Sequence, residues 1–322
     1  MPLSDHGHRL IAQGSRFAPT YGDDFANHLP MALAALAAMG ADAERLDAYF
    51  EQESRWLQPQ PEVTPGPTLL GQPDHQPHWL HHFRQQIAQG GVTETLGLAL
   101  PALLPGIASG AFHPLIRLGF ALDFGNDDEV AQALAYWASH YQALGPLGAA
   151  CDLPLAAIAA AAEQALAGQS YPQANISRQL CAASRDLAAL GLAVQPRDLT
   201  QGMLADFAIR AYLGSGDFTL LHGVTGCHAL RLVLPHMADD ALALRYFWQG
   251  LLLAWLTSAP AGHRPLAVAD DRDWPALFAV ASKSDDDHLI KLVYSCHQEH
   301  LHHGNPAYLA AARGTVLAKE QR

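Results

Sequence analysis

Residues 221–240 read LHGVTGCHALRLVLPHMADD: an apolar run broken by small residues, carrying His222 and His228 and closing on a proline and two aspartates. Histidine is expensive to bury unless it is hydrogen-bonded or bound to something. The run is therefore either a core helix with two satisfied histidines or part of a metal site. The rest of the chain bears on the choice, because the layout recurs. NHLPMALAALAAMGADAE (27–44) and FHPLIRLGFALDFGNDDE (112–129) align without a gap, each with a histidine beside a proline, an apolar run, a glycine and an acidic cap. His28 lies 14 residues before Asp42 and His113 lies 14 before Asp127, while His222 lies 17 before Asp239 and His288 lies 17 before Asn305. The difference is close to one helical turn of ~3.6 residues, so each histidine keeps roughly the same face.

Four copies of "histidine, helix, polar cap, helix" predict an all-α protein: a single large helical domain of repeated helix pairs converging on a central metal and substrate pocket. DAERLDAYFEQESRWL (42–57), DDEVAQALAYWASHYQAL (127–144) and TQGMLADFAIRAYLG (200–214) space their apolar residues by three and four. Asp42, Asp127 and Thr200 are their expected N-caps, and Pro306 after Asn305 repeats the cap-then-proline signature. Alternating Val/Ile/Thr runs are nearly absent, and neither a G-x-G-x-x-G nor a P-loop is present, which argues against a nucleotide-binding α/β domain. The clearest loop is PQPEVTPGPTLLGQP (59–73). Residues 21–312 form the expected domain, with 1–20 an N-terminal extension and 313–322 a tail.

Of the 322 residues 50% are hydrophobic and 16% charged, enough apolar material for one large core. A net charge of −12 argues against a nucleic-acid partner, which needs a basic surface. Cys151, Cys181, Cys227 and Cys296 are far apart and fit buried thiols in a reducing compartment. The N-terminus lacks a basic-then-apolar leader, and the most apolar run, 246–256, is short of the ~20 residues that span a bilayer. A cytoplasmic protein without a membrane partner is expected; a homodimer is left open.

There are 18 histidines against 19 Lys+Arg. His75, His78, His81 and His82 crowd one polar segment and His297, His300, His302 and His303 another, as solvated helix faces do. His28, His113, His222 and His288 stand instead at apolar helices, and four helices meeting at those ends would bring four imidazoles together. The competing explanation is that Ala/Leu-rich hairpins resemble one another by composition. Four imidazoles suit Fe(II), Zn, Cu or Ni alike. Lys291 shares a helical face with His288 and lies in LIKLV, where an ammonium is costly. It snorkels, pairs with Asp285, Asp286 or Asp287, or is neutralised or carbamylated as a ligand. His228, six residues after His222, lies ~120° away around a helix, so a role beside the metal or against substrate suits it better than ligation, with Arg231 joining it.

The motifs NHLPMALAALAAMGA, FHPLIRLGFALDF, LLHGVTGCHALRLVLP and DDDHLIKLVYSC, in this order over about residues 20–312, resemble the questin oxidase-like family. The resemblance implies an oxygenase of Baeyer–Villiger-like or dioxygenolytic type, acting beside a carbonyl of a quinone or aromatic polyketide-like substrate. It implies non-haem Fe(II) held by His28, His113, His222 and His288 with a carboxylated Lys291, although His228 competes with His288 for the fourth imidazole place. NADPH dependence is linked with the family, but no nicotinamide motif is present here, nor a haem or flavin signature. The partners implied are a hydrophobic small molecule and O2. Phe25, Phe112, Tyr246 and Trp248 fit pocket walls and core equally, since aromatics dominate interiors, with Phe25 and Phe112 the better wall candidates because they closely precede their histidines. A metal-dependent hydrolase and a non-enzymatic helical binder of a hydrophobic ligand are the alternatives.

Overall fold

The computed structural model describes residues 4–173, 175–258, 262–267 and 270–321. Fourteen α-helices carry these residues, with two two-stranded ribbons as the sheet. The expected all-α class holds. The four repeats are four pairs of successive helices: α2 (Leu29–Ala38) with α3 (Ala43–Ser54), α5 (His113–Asp123) with α6 (Asp127–Ser139), α10 (Phe218–Val233) with α11 (Asp240–Thr257), and α13 (Asp287–His303) with α14 (Ala307–Glu320). The members of each pair pack on one another, and α10 also packs against α5 and α13.

Local chemistry sets the starts of these helices. The side chains of Asp42, Thr200, Asp217, Asp239 and Asp286 each accept from a backbone N–H two or three residues on, closing α3, α9 (Gln201–Ser215), α10, α11 and α13. Before α6 the cap is Asn126, not Asp127: its side chain accepts from Glu129 N, and Asp127 becomes the first helical residue. Asn305 accepts from Ala307 N at 2.9 Å.

α10 is buried almost throughout, from Thr219 to Leu230, and such a helix must be apolar all round. Its small residues let neighbours come close. A Cβ on Gly119 of α5 would stand 2.6 Å from Ala229 Cα of α10, so that crossing requires a glycine. The buried ion pair Arg117–Glu129, 2.8 Å between Nε and Oε2, ties α5 to α6.

Two expected boundaries move. α1 (Asp5–Gly14) lies inside the supposed extension, yet its Leu10 and Ile11 join the core against α2 and α3. At the other end α14 runs through residue 312, with Thr315 and Val316 buried. The apolar stretch overlooked in the sequence is Pro73–Gly106, long and apolar enough by composition to cross a membrane. Its main helix, α4 (Gln76–Leu103), is broken at Gly91, where φ is 78° and ψ 174°.

Candidate metal centre

The helix pairs bring His28, His113, His222 and His288 together. His28 immediately precedes α2, His113 begins α5 and His288 is second in α13, whereas His222 lies one turn inside α10 because Asp217 caps that helix earlier. The rings form a closed circuit, with centroids 4.6 Å apart for His28–His113, 4.7 Å for His113–His222, 5.1 Å for His222–His288 and 4.6 Å for His288–His28.

One nitrogen of every ring is already committed. The Nδ1–H of His113 donates to the Gly110 carbonyl, and that of His222 donates to the Phe218 carbonyl at 2.8 Å. His28 donates to one oxygen of Asp287 at 2.5 Å, and His288 donates to the other. Acceptors at all four Nδ1 atoms fix the tautomer in which a neutral ring carries its lone pair on Nε2. The Nε2 atoms of His113 and His222 face each other at 3.2 Å, and those of His28 and His288 are buried without a partner. Burial holds His28 down to about 4 and, with the neighbouring imidazoles, holds His113 and His222 well below the ordinary histidine range, so no proton bridges the lone pairs. Nitrogen donors of His28, His113 and His288 lie within 4.8 Å of one another. Converging lone pairs with no donor among the described residues repel unless a cation lies between them. The residues fit a metal.

The three adjacent aspartates before His288 have separate tasks. Asp285 pairs with Arg45, Asp286 caps α13 and pairs with Lys319, and Asp287 orients two imidazoles. Against the upward push of burial, its histidine partners hold Asp287 well below the usual carboxylate range. Lys291 follows one turn later and is 2% exposed. None of the three aspartates pairs with it, and it does not snorkel. Burial pushes its amine down to about 8, with Asp287 and Asp286 opposing.

Strain surrounds this centre. Gly110, Ala111 and Phe112 lie consecutively in the left-handed region, with φ of 54°, 57° and 67°. For Ala and Phe this costs roughly 1–2 kcal/mol each. The third such non-glycine residue among those described is Asp24, at φ 65°, in the turn between β1 (Thr20–Tyr21) and β2 (Phe25–Ala26). Gly110, Ala111 and Asp24 all line a cavity of about 660 Å³ whose wall includes His28, His113, His222, His288 and Asp287. Backbone strain concentrated around a ligand-sized cavity is the pattern of a functional site.

Several expected site residues lie elsewhere. His228 does not reach the cavity: it is fully buried, with Nδ1 3.0 Å from Ser295 Oγ and its ring against Phe120 and Tyr294. Arg231 pairs with Glu299 at 2.6 Å. The six-residue offset turns His228 away and moves it ~9 Å along α10. Phe112 is core, packed on Phe247, and Trp248 is core, donating to the Val194 carbonyl. Tyr246 is half-buried and does not line the cavity. Of the four proposed walls only Phe25 lines it, 59% exposed. The sequence reading missed Phe218, 53% exposed, whose ring lies 4.9 Å from His222 and 4.6 Å from His288. It also missed Tyr21, Tyr136, His140 and the start of α8 (Ile176–Ala189), all on the wall.

Comparison with known proteins bears on the family of the chain. The family model described as Questin oxidase-like matches residues 25–213 and 207–296. A questin oxidase from Aspergillus terreus (strain NIH 2624 / FGSC A1156) is 24% identical over 329 residues, covering 83% of this chain and 73% of the relative.

Proposed function

The chain belongs to the questin oxidase-like family, and from that premise we propose that it is an oxygenase that uses a histidine-bound metal to cleave a quinone or related aromatic ring. The coarser part, an oxidoreductase, is supported by the oxidase to which the chain is similar. The observation that carries the finer part is the convergence of four imidazoles, each with Nδ1 committed, on the wall of a ligand-sized cavity.

His28, His113, His222 and His288 would hold the metal, and we assign it as Fe(II). Bound there, iron would supply the one-electron chemistry by which O2 reacts with an electron-rich aromatic. Lys291 is buried beside the ligands with its ammonium destabilised, the state in which an amine takes up CO2. A carboxylated Lys291 would add an anionic oxygen to four neutral donors, and Asp287 fixes two rings in the ligating tautomer. The exposed faces of Phe25 and Phe218, with Tyr21 5.9 Å from Phe25, offer apolar planes at the cavity for a flat substrate, which excludes water as it enters. NADPH, where required, would act on the substrate or be supplied through a partner. The four unpaired cysteines fit a reducing, cytoplasmic setting.

Elemental analysis of protein purified without oxygen or a histidine tag tests the reading. About one iron per chain is expected, lost in Lys291→Ala and in alanine variants of the four histidines but kept in His78→Ala and His302→Ala. Absence of a transition metal overturns it, and bound zinc with ester hydrolysis replaces it with a hydrolase.

A further inference from the structure

The cavity wall carries polar groups besides the histidine cluster. Tyr136 lies on α6, 3% exposed, yet it lines the cavity. Its hydroxyl has no hydrogen-bond partner among the described residues, whereas Tyr212 is bonded to Thr315, Tyr294 to Asp123 and Tyr171 to Asp186. Tyr49 and Tyr308 also lack partners, but neither lines the cavity. The oxygens of Tyr49 and Tyr308 are sealed in the core, whereas that of Tyr136 opens onto the cavity and is free to bond what enters it.

The position of this hydroxyl is built. His140 stands edge-on to the Tyr136 ring at 4.9 Å and is itself held by Ser139 Oγ, 2.9 Å from its Nδ1. Gly110 also lies against the hydroxyl and, lacking a side chain, leaves it room: a Cβ there would stand 3.0 Å from Tyr136 Oη. Gly110 also provides the carbonyl that orients His113, so one left-handed glycine places both the phenol and a metal-site imidazole. Burial pushes the phenol well above its ordinary range, so its O–H stays available to donate.

We propose that Tyr136 is a substrate-binding residue whose O–H donates to a ring-carbonyl oxygen of the bound quinone, fixing which carbonyl faces the imidazole cluster. The assignment rests on the quinone reading of the cavity. Its binding energy is directional, unlike that of Phe25 and Phe218, and so selects carbonyl-bearing rings over hydrocarbons of the same shape.

The test uses 9,10-anthraquinone-2-sulfonate and anthracene-2-sulfonate, alike except for the two carbonyls, titrated by quenching of tryptophan fluorescence in protein as purified. Wild type binds the quinone more tightly. Tyr136→Phe weakens quinone binding by about tenfold, one hydrogen bond, and leaves the hydrocarbon unchanged. Its Tm is not lowered, because only an unbonded hydroxyl is removed. An unchanged preference in Tyr136→Phe overturns the assignment while the quinone reading stands. Parallel loss of both probes with a lower Tm makes Tyr136 a packing residue and overturns it too. Failure of wild type to bind either probe overturns the assignment together with the reading of the cavity.

Discussion

Replacing Asp287 by Ala tests whether one carboxylate organises half of the metal site. Asp287 accepts from His28 Nδ1 at 2.5 Å and from His288 Nδ1 through its other oxygen. Hydrogen bonds to a charged group contribute ~1.5–3 kcal/mol each, and here they also select the tautomer that turns Nε2 towards the other rings. Without the carboxylate, both rings are free to rotate or to carry the proton on Nε2, where it blocks ligation. Loss of a group that orients one ligand typically weakens metal binding 10–100-fold, so loss of a group shared by two should fall near ~100-fold. Asp287→Asn keeps one acceptor oxygen, serves one ring and should lose ~10-fold. The assay is anaerobic competition of chelator-stripped protein for Fe(II) against a chromophoric chelator, with circular dichroism confirming the fold. Wild-type affinity in Asp287→Ala would refute the idea that this carboxylate sets the ligands.

Two further perturbations follow from the same geometry. In metal-free protein His28 is held down to about 4 by burial, below the 6.5 of an ordinary histidine, so the unfolded chain takes up the proton first as pH falls. Stability from this group is intact above pH ~6.5 and declines towards pH ~4, by roughly 3 kcal/mol, and His28→Gln should flatten that part of the Tm-against-pH curve; identical slopes would exclude it. Gly119→Ala drives a Cβ to 2.6 Å from Ala229 Cα, which should cost ~1–3 kcal/mol and, by parting the helices that carry His113 and His222, weaken metal binding; an unchanged Tm would show that the crossing yields.

What was legible in the sequence is what repeats. His28, His113, His222 and His288 stood out because a histidine, a helix and a cap recur at 14 and 17 residues, and helical periodicity converts equal spacing into equal placement. The caps Asp42, Thr200 and Asp239 were readable for the same local reason. Phe112 was misjudged because its nearness to His113 says nothing of direction: a left-handed backbone at 110–112 sends it into the core. Phe218 and Tyr136 were invisible because which face of a helix meets a cavity depends on how helices from distant parts of the chain cross. The same holds for residues 175–179, which reach the cavity by tertiary packing alone.

The features that break the repeat say most about function. A site made of four equivalent copies would supply four equivalent imidazoles. Instead two rings lean on backbone carbonyls, and the other two share one carboxylate from the fourth copy, DDDHLIK. That copy alone adds a buried lysine one turn after its histidine. Asp287 and Lys291, the carboxylate and the amine set beside the rings, therefore both come from α13. Asp287 accepts from both His28 and His288, and Lys291 offers an amine whose ammonium burial destabilises. The repeated helix pairs build a neutral cage, and its asymmetry is written into seven residues at the start of a single helix. Substitutions there should alter the chemistry of the centre while leaving its architecture intact, whereas substitutions at Gly119 or Gly110 should act in the opposite order.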